Sequence, residues 1–294
     1  MRTFFGSFES ALRARNRSPR TIRSYLDTAE LFARFCDEAY GSSLLESLTA
    51  AQVNAFITDQ LTRWTASTAA TRFRCLQQLF RYLEESQGVR SPMAGLKPPK
   101  VNETPVPVLR DGELVRLLRA CSGSEFRDVR DRTILRLFID AGVRRDELAS
   151  MRVSDVALGD RLIFVRGKGG QTRFIAYGSE SELALREYMH LRVVHRYTAS
   201  PKLWLGLRGQ LTGSGIAAMV KRRAAEAEVA DVFPHRFRHT YAHRWLVAGG
   251  NETDLQTMAG WRSSQMLARY GASARAERAA LAHRRIGLGD AIKG

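Results

Sequence analysis

Five of the chain's eight prolines fall within seventeen residues, Ser91 to Pro107 (SPMAGLKPPKVNETPVP), and no other feature constrains the fold as much. Proline fixes φ and has no N–H to give to a helix or sheet, so the stretch reads as an extended, semi-rigid linker. With the linker proper set at 96–108, it divides 294 residues into two segments of ordinary domain size, 1–95 and 109–294. The first is helical by pattern. Ser18 and Pro19 open a helix whose apolar side is Ile22, Leu26, Ala29, Phe32 and Phe35. Leu48 and Thr49 open the next, with Val53, Phe56, Ile57 and Leu61, and a third from Ser67 to Glu84 buries Phe73, Leu76, Phe80 and Leu83. Its wet face carries Arg72 and Arg74, candidate contacts for an anionic partner.

The second segment mixes helices with one clear hairpin. After a helix from Glu125 to Ala141, Gly142 closes the turn, Arg144 follows two residues on, and Glu147 with Leu148 begins a short helix. Arg161 to Tyr177 alternates as two strands around a Gly-Lys-Gly-Gly turn that puts Lys168 at an exposed tip. The helix from Thr212 to Glu228 carries Lys221, Arg222 and Arg223, which suit a major groove or a line of phosphates, or equally a plain solvated face. Pro234 then starts a helix on which His235 and Arg238, three positions apart, share a face and can converge on one phosphate. Gly249 and Gly250 end it, a short helix from Thr253 to Met258 leads to Gly260 and Trp261, and a short amphipathic piece from Ser263 ends at Tyr270, before Gly271. The expected class is mainly α: an all-helical first domain and a mainly helical second domain with a small antiparallel β-sheet (α+β).

Composition narrows the partner. A formal net charge of +16 fits a polyanion, or an arginine-rich coding bias. Three cysteines, Cys36, Cys75 and Cys121, lie far apart with no paired motif, as in a reduced intracellular protein. No apolar run approaches the ~20 residues of a membrane span, so a soluble chain with no membrane partner is expected. His235, His239 and His243 string over more than two helical turns, too long a line for one ion, and no HExxH motif accompanies them.

Taken singly, Arg144 is a solvated charge, Lys168 a solubilising turn residue, and His235 or Trp261 a core filler. Taken together, His235, Arg238, Gly260, Trp261, Arg262, Ser263, Ser264 and, nine positions after Trp261, Tyr270 resemble the C-terminal signature of the tyrosine recombinases, the family of phage integrases and Xer proteins. Gly142, Val143, Arg144, Glu147 and Leu148 resemble the family's first arginine motif, which selects Arg144 over Arg145. The resemblance implies a core-binding domain (SAM-like) at 1–95 and a catalytic domain with a C-terminal tail helix at 109–294. It also implies a cytoplasmic, nucleoid-associated site-specific recombinase for DNA integration, excision or dimer resolution.

In that reading Tyr270 is the nucleophile, Arg144, His235, Arg238 and Trp261 hold the scissile phosphate, Lys168 is the general acid, and Glu147 orients the site. Arg72, Arg74, Lys221, Arg222 and Arg223 are candidate DNA contacts. Trp261 stands where histidine is commoner, and Gln171 where a further basic residue is frequent. No metal, cofactor or ATP is implied. The implied partners are double-stranded DNA recombination sites, a homotetramer in the synaptic complex, and an accessory DNA-bending or directionality protein. No further arm-site domain, as in the larger lambda-type integrases, is expected ahead of residue 1. The helix-like tail after Tyr270 is expected to dock on a neighbouring subunit, the alternative being a tail folded back on its own domain. Tyr241 is a competing nucleophile that suits a core position beside Trp245. Three rivals remain: a silent DNA-binding protein of the same fold, a metal-dependent nuclease, and a type IB topoisomerase-like relaxing activity.

Overall fold

The computed structural model describes residues 1–42, 44–102, 107–167, 172–261 and 264–287, with the side chains at 46, 264–266, 268–273 and 276 excepted. The chain forms two compact units, Met1–Glu103 and Thr104–Gly294.

The first unit is built from α1 (Phe5–Ala14), α2 (Pro19–Tyr40), α3 (Ala50–Arg63) and α4 (Ala66–Gln87). Local sequence sets their ends. The Ser18 hydroxyl accepts from the Thr21 N–H at 3.2 Å with Pro19 in the first turn, and Thr49 and Gln52 form a reciprocal capping box at the start of α3. Phe8, Phe32, Phe56, Phe73 and Phe80 are fully buried, with Phe32 edge-on to both Phe56 and Phe80. Leu61, expected on the apolar side of α3, is exposed; the neighbouring Gln60 is buried instead, its amide oxygen accepting from Arg72. The proline-rich stretch is also not extended throughout. Its first residues turn back, with the Leu96 N–H donating to the Met93 carbonyl at 3.1 Å, and pack Met93 and Leu96 against this core.

The second unit contains α5 (Asp111–Arg119), α6 (Phe126–Ala141), α7 (Arg145–Ser150), β1 (Val156–Ala157), β2 (Leu162–Arg166), β3 (Thr172–Ala176), α8 (Ser179–Val193), β4 (Leu205–Gly206), β5 (Gly209–Gln210), α9 (Gly213–Glu226), α10 (Pro234–Val247), α11 (Glu252–Ala259) and α12 (Ser264–Ile286). Strands β1, β2 and β3 make an antiparallel sheet in that order, with Ile163 opposite Ile175, and β4 and β5 form a second small pair. The two-residue alternation turns Ile163, Val165 and Ile175 inward. Central to the core is α6, whose Val129, Ile134, Leu135, Leu137 and Phe138 are wholly buried, Phe138 stacking on Phe237 of α10. The Leu109 N–H donates to the Thr240 hydroxyl at 2.8 Å, which fixes the start of this unit to α10.

The end of the chain corrects one expectation. Tyr270 does not precede a break: α12 runs unbroken through Gly271. Its Leu267 and Ala274, seven positions apart on one face, are buried in a cluster with Tyr241, Ala242, Leu246, Leu255, Ala259 and Trp261. That packing outweighs the ~1 kcal/mol helix cost of a glycine. The start of the tail therefore folds on its own unit, where His243 and Glu277 meet at 2.9 Å. Among the described residues no helix is long and apolar enough to cross a membrane.

Candidate active site

The site begins where α6 stops. Gly142 takes a left-handed conformation at φ +55°, and a Cβ placed there would lie 2.2 Å from the Tyr241 ring, so both backbone and space demand glycine. The turn delivers Arg144 to the N-cap of α7, where its N–H donates to Glu147 Oε2 at 3.1 Å and its guanidinium to Glu147 Oε1 at 2.6 Å. Glu147 is 6% exposed and receives a second guanidinium, Arg173 of β3, whose fork reaches Oε1 at 3.0 Å and Oε2 at 2.9 Å. Burial pushes the Glu147 carboxyl up, but Arg173 and then Arg144 outweigh it and hold the group below the usual glutamate range.

Three guanidinium groups converge on the C-terminal end of α11. Arg173 Nε donates to the Met258 carbonyl at 2.9 Å, Arg238 to the Ala259 carbonyl at 2.5 Å, and Arg144 to the Gly260 carbonyl at 3.0 Å. The last carbonyls of a helix lack partners within it and carry its negative dipole end, so arginine is the natural cap. Arg238, only 1% exposed, also donates to the Gly142 carbonyl at 2.7 Å and lies 5.4 Å over the Trp261 ring. Arg144, Glu147, Arg238 and Trp261, scattered along the sequence, are thus brought together around one helix end. His235 is exposed in the first turn of α10, its ring edge-on to His239 at 4.5 Å. Tyr270 lies on α12 with its side chain outside those described, and Lys168 and Gln171 fall outside the described residues. Tyr241 is 7% exposed beside Trp245, and burial, against the opposing charge of Arg238, pushes its phenol up to about 12, which suits packing rather than attack.

The basic cluster on α9 needs correcting. Arg223 is 5% exposed and donates to Asp131, Asp128, Glu226 and the Ala120 carbonyl, and Arg222 is half-buried with its own bond to Asp131 at 2.9 Å. Both turn toward α6, where Asp131 is wholly buried and needs counter-ions. Their charges are engaged by Asp131 inside the unit, whereas Lys221 is exposed. Arg74 is exposed too, whereas Arg72 is half-buried, bonded to Gln60 and lying 5.1 Å over the Trp64 ring. The sequence reading missed Arg173. Its signal was present: the position shares the inward side of β3 with Ile175, and an inward arginine requires a carboxylate.

Comparison with known proteins agrees with this architecture. The model of the phage integrase family matches residues 107–277, and that of the phage integrase N-terminal SAM-like domain matches residues 4–87. A tyrosine recombinase XerC from Mycobacterium sp. (strain KMS) is 32% identical over 257 residues, 84% of this chain and 85% of the relative. Among solved structures, XerH site-specific recombinase bound to palindromic difH substrate in a post-cleavage complex superposes with a TM-score of 0.75 at 19% identity, covering 94% of this chain and 84% of that one. A lambda integrase tetramer bound to a Holliday junction gives 0.68 at 15% identity, covering 89% and 77%.

Proposed function

The chain belongs to the tyrosine recombinases, the phage integrase family, and from that premise we infer that it cuts and rejoins DNA strands through a 3′-phosphotyrosyl bond formed by Tyr270. The observation that carries the reading is the convergence of Arg144 and Arg238 on the adjacent carbonyls of Gly260 and Ala259. A phosphodiester repels nucleophiles by its charge, so cations must sit on its non-bridging oxygens. Arg144 and Arg238 supply them, fixed in direction by the carbonyls they cap, and a guanidinium presents more N–H donors than the contacts of Arg144 use. His235 and the Trp261 indole N–H add donors. Tyr270, with an ordinary pKa of about 10, is a usable nucleophile only as its anion, which in this reading the positive charge of Arg144 and Arg238 favours. As its oxygen bonds to phosphorus, the bond to the 5′ oxygen breaks and Lys168 supplies that oxygen with a proton. The 5′ hydroxyl of a partner strand reverses the step, so the bond energy is kept.

Residues 1–95 then serve as the core-binding domain and 109–294 as the catalytic domain. Four copies act on two duplexes at the nucleoid, as in the lambda integrase tetramer on its junction, to integrate, excise or resolve DNA, with an accessory DNA-bending or directionality protein where direction must be imposed. Of the candidate DNA contacts, Lys221 and Arg74 are the exposed ones and follow the backbone, with the half-buried Arg72 beside Arg74. The experiment is to select the bound site from random-sequence duplexes, nick it so that the cut strand diffuses away, and look for an SDS-resistant protein–DNA adduct. Retarded complexes with no adduct would assign the chain to silent DNA binding.

A further inference from the structure

We propose that Arg173 is a positioning residue for strand cleavage, one that leaves Arg144 its positive charge by neutralising Glu147 and that fixes the direction in which Arg144 points. The inference rests on the recombinase reading. Charge balance carries it. Arg144, Arg173 and the carboxylate of Glu147 make a trio with one net positive charge, bonded as a chain from Arg173 through both Glu147 oxygens to Arg144. Remove Arg173, and Glu147 and Arg144 become a neutral pair, Glu147 6% exposed and the Arg144 side chain 39% exposed, so that solvent screens it only in part. Arg144 would then face a phosphate with its charge already balanced.

Geometry carries it further. Arg173 is 14% exposed, occupies an inward position of β3, and ties three elements together: β3 itself, α7 through Glu147, and the end of α11 through the Met258 carbonyl. A Cβ at Gly260 would approach the Arg173 guanidinium at 3.1 Å, so the arginine also fills the space beneath the turn whose carbonyl Arg144 caps. Arg173 itself does not meet the phosphate in this scheme; it acts through Glu147 and Arg144. Partners that orient a metal ligand cost about 10- to 100-fold when removed, and a partner that orients a phosphate-binding arginine is expected to cost on the same order.

The test is single-turnover adduct formation at saturating protein on the nicked duplex, with wild type, Arg173→Gln, Arg173→Lys and the double variant Arg173→Gln/Glu147→Gln. Arg173→Gln should be slower by about 10- to 100-fold with single-site affinity unchanged, and Arg173→Lys, which keeps the charge but not the fork, should recover part of the rate. Adding Glu147→Gln removes the carboxylate that neutralises Arg144, so the double variant should be faster than Arg173→Gln. A merely structural role predicts the opposite order, because two buried partners are then lost instead of one. The same comparison on a scissile methylphosphonate, which carries no charge for Arg144 to balance, should shrink the Arg173→Gln deficit. A double variant slower than Arg173→Gln, or an equal deficit on both substrates, overturns the proposal. Absence of adduct with the wild-type chain would instead count against the recombinase reading itself.

Discussion

Gly142 joins fold and site, and substituting it separates two kinds of cost. Gly142→Ala puts a Cβ on a residue at φ +55° and 2.2 Å from the Tyr241 ring; Gly249→Ala does the same at φ +80° with nothing within 4 Å. The left-handed conformation alone costs about 1–2 kcal/mol in either variant. Only Gly142→Ala must also displace a ring that is 7% exposed and packed beside Trp245, an overpacking cost of about 1–3 kcal/mol. The totals are about 1–2 kcal/mol for Gly249→Ala and about 2–5 kcal/mol for Gly142→Ala. In a unit of this size each kcal/mol lowers Tm by about 2–4 °C. Near-UV circular dichroism weights the right transition, since Trp204, Trp245 and Trp261, three of the four tryptophans, belong to the second unit and only Trp64 to the first. Because the Gly142 carbonyl accepts from Arg238, Gly142→Ala should also slow adduct formation while Gly249→Ala leaves it near wild type. Equal losses of Tm in the two variants would refute the steric argument.

Arg223→Ala should destabilise the second unit by about 3–5 kcal/mol, having broken a buried ion cluster, without changing the DNA affinity of the folded fraction. Lys221→Ala should leave the melting temperature alone and reduce the salt dependence of binding by about one released counterion; the reverse pattern would restore Arg223 as a DNA contact. Glu147 has a folded pKa held below its usual value of 4.5, so its contribution to stability is fully present above that value and is lost as pH falls through the lower folded one. Melting temperature measured against pH should therefore drop more steeply on the acid side for wild type than for Glu147→Gln, and parallel curves would contradict this. Truncation before Ala274, which is wholly buried, should lower both Tm and single-site binding, whereas truncation after Arg278 should spare both and weaken only paired-site complexes in gel shifts at fixed salt.

What could be read in the sequence was what local chemistry decides. Ser18 and Thr49 announce helix starts through their own hydroxyls, Gly142 announces a helix end because the left-handed turn excludes a side chain, and the strands flanking Lys168 alternate as the sheet requires. The residues that were misread depend on partners distant in sequence. Arg222 and Arg223 look like an exposed basic face until the wholly buried Asp131 of α6 draws them inward. Gly271 looks like a break until Leu267 and Ala274 are seen packing α12 onto its own unit. Leu96 lies in the linker by composition but packs, partly buried, against the first core. Arg173 was missed because its meaning lies in Glu147, on another element of the fold.

The most direct test is to identify the residue that carries the DNA. The adduct trapped on the nicked site is digested with protease and nuclease, and the nucleotide-bearing peptide is sequenced by mass spectrometry. The nucleotide should be found on Tyr270, attached through its 3′ phosphate, and Tyr270→Phe should form no adduct while binding the duplex as wild type does. A nucleotide on Tyr241, or an undiminished adduct with Tyr270→Phe, would contradict the assignment of the nucleophile.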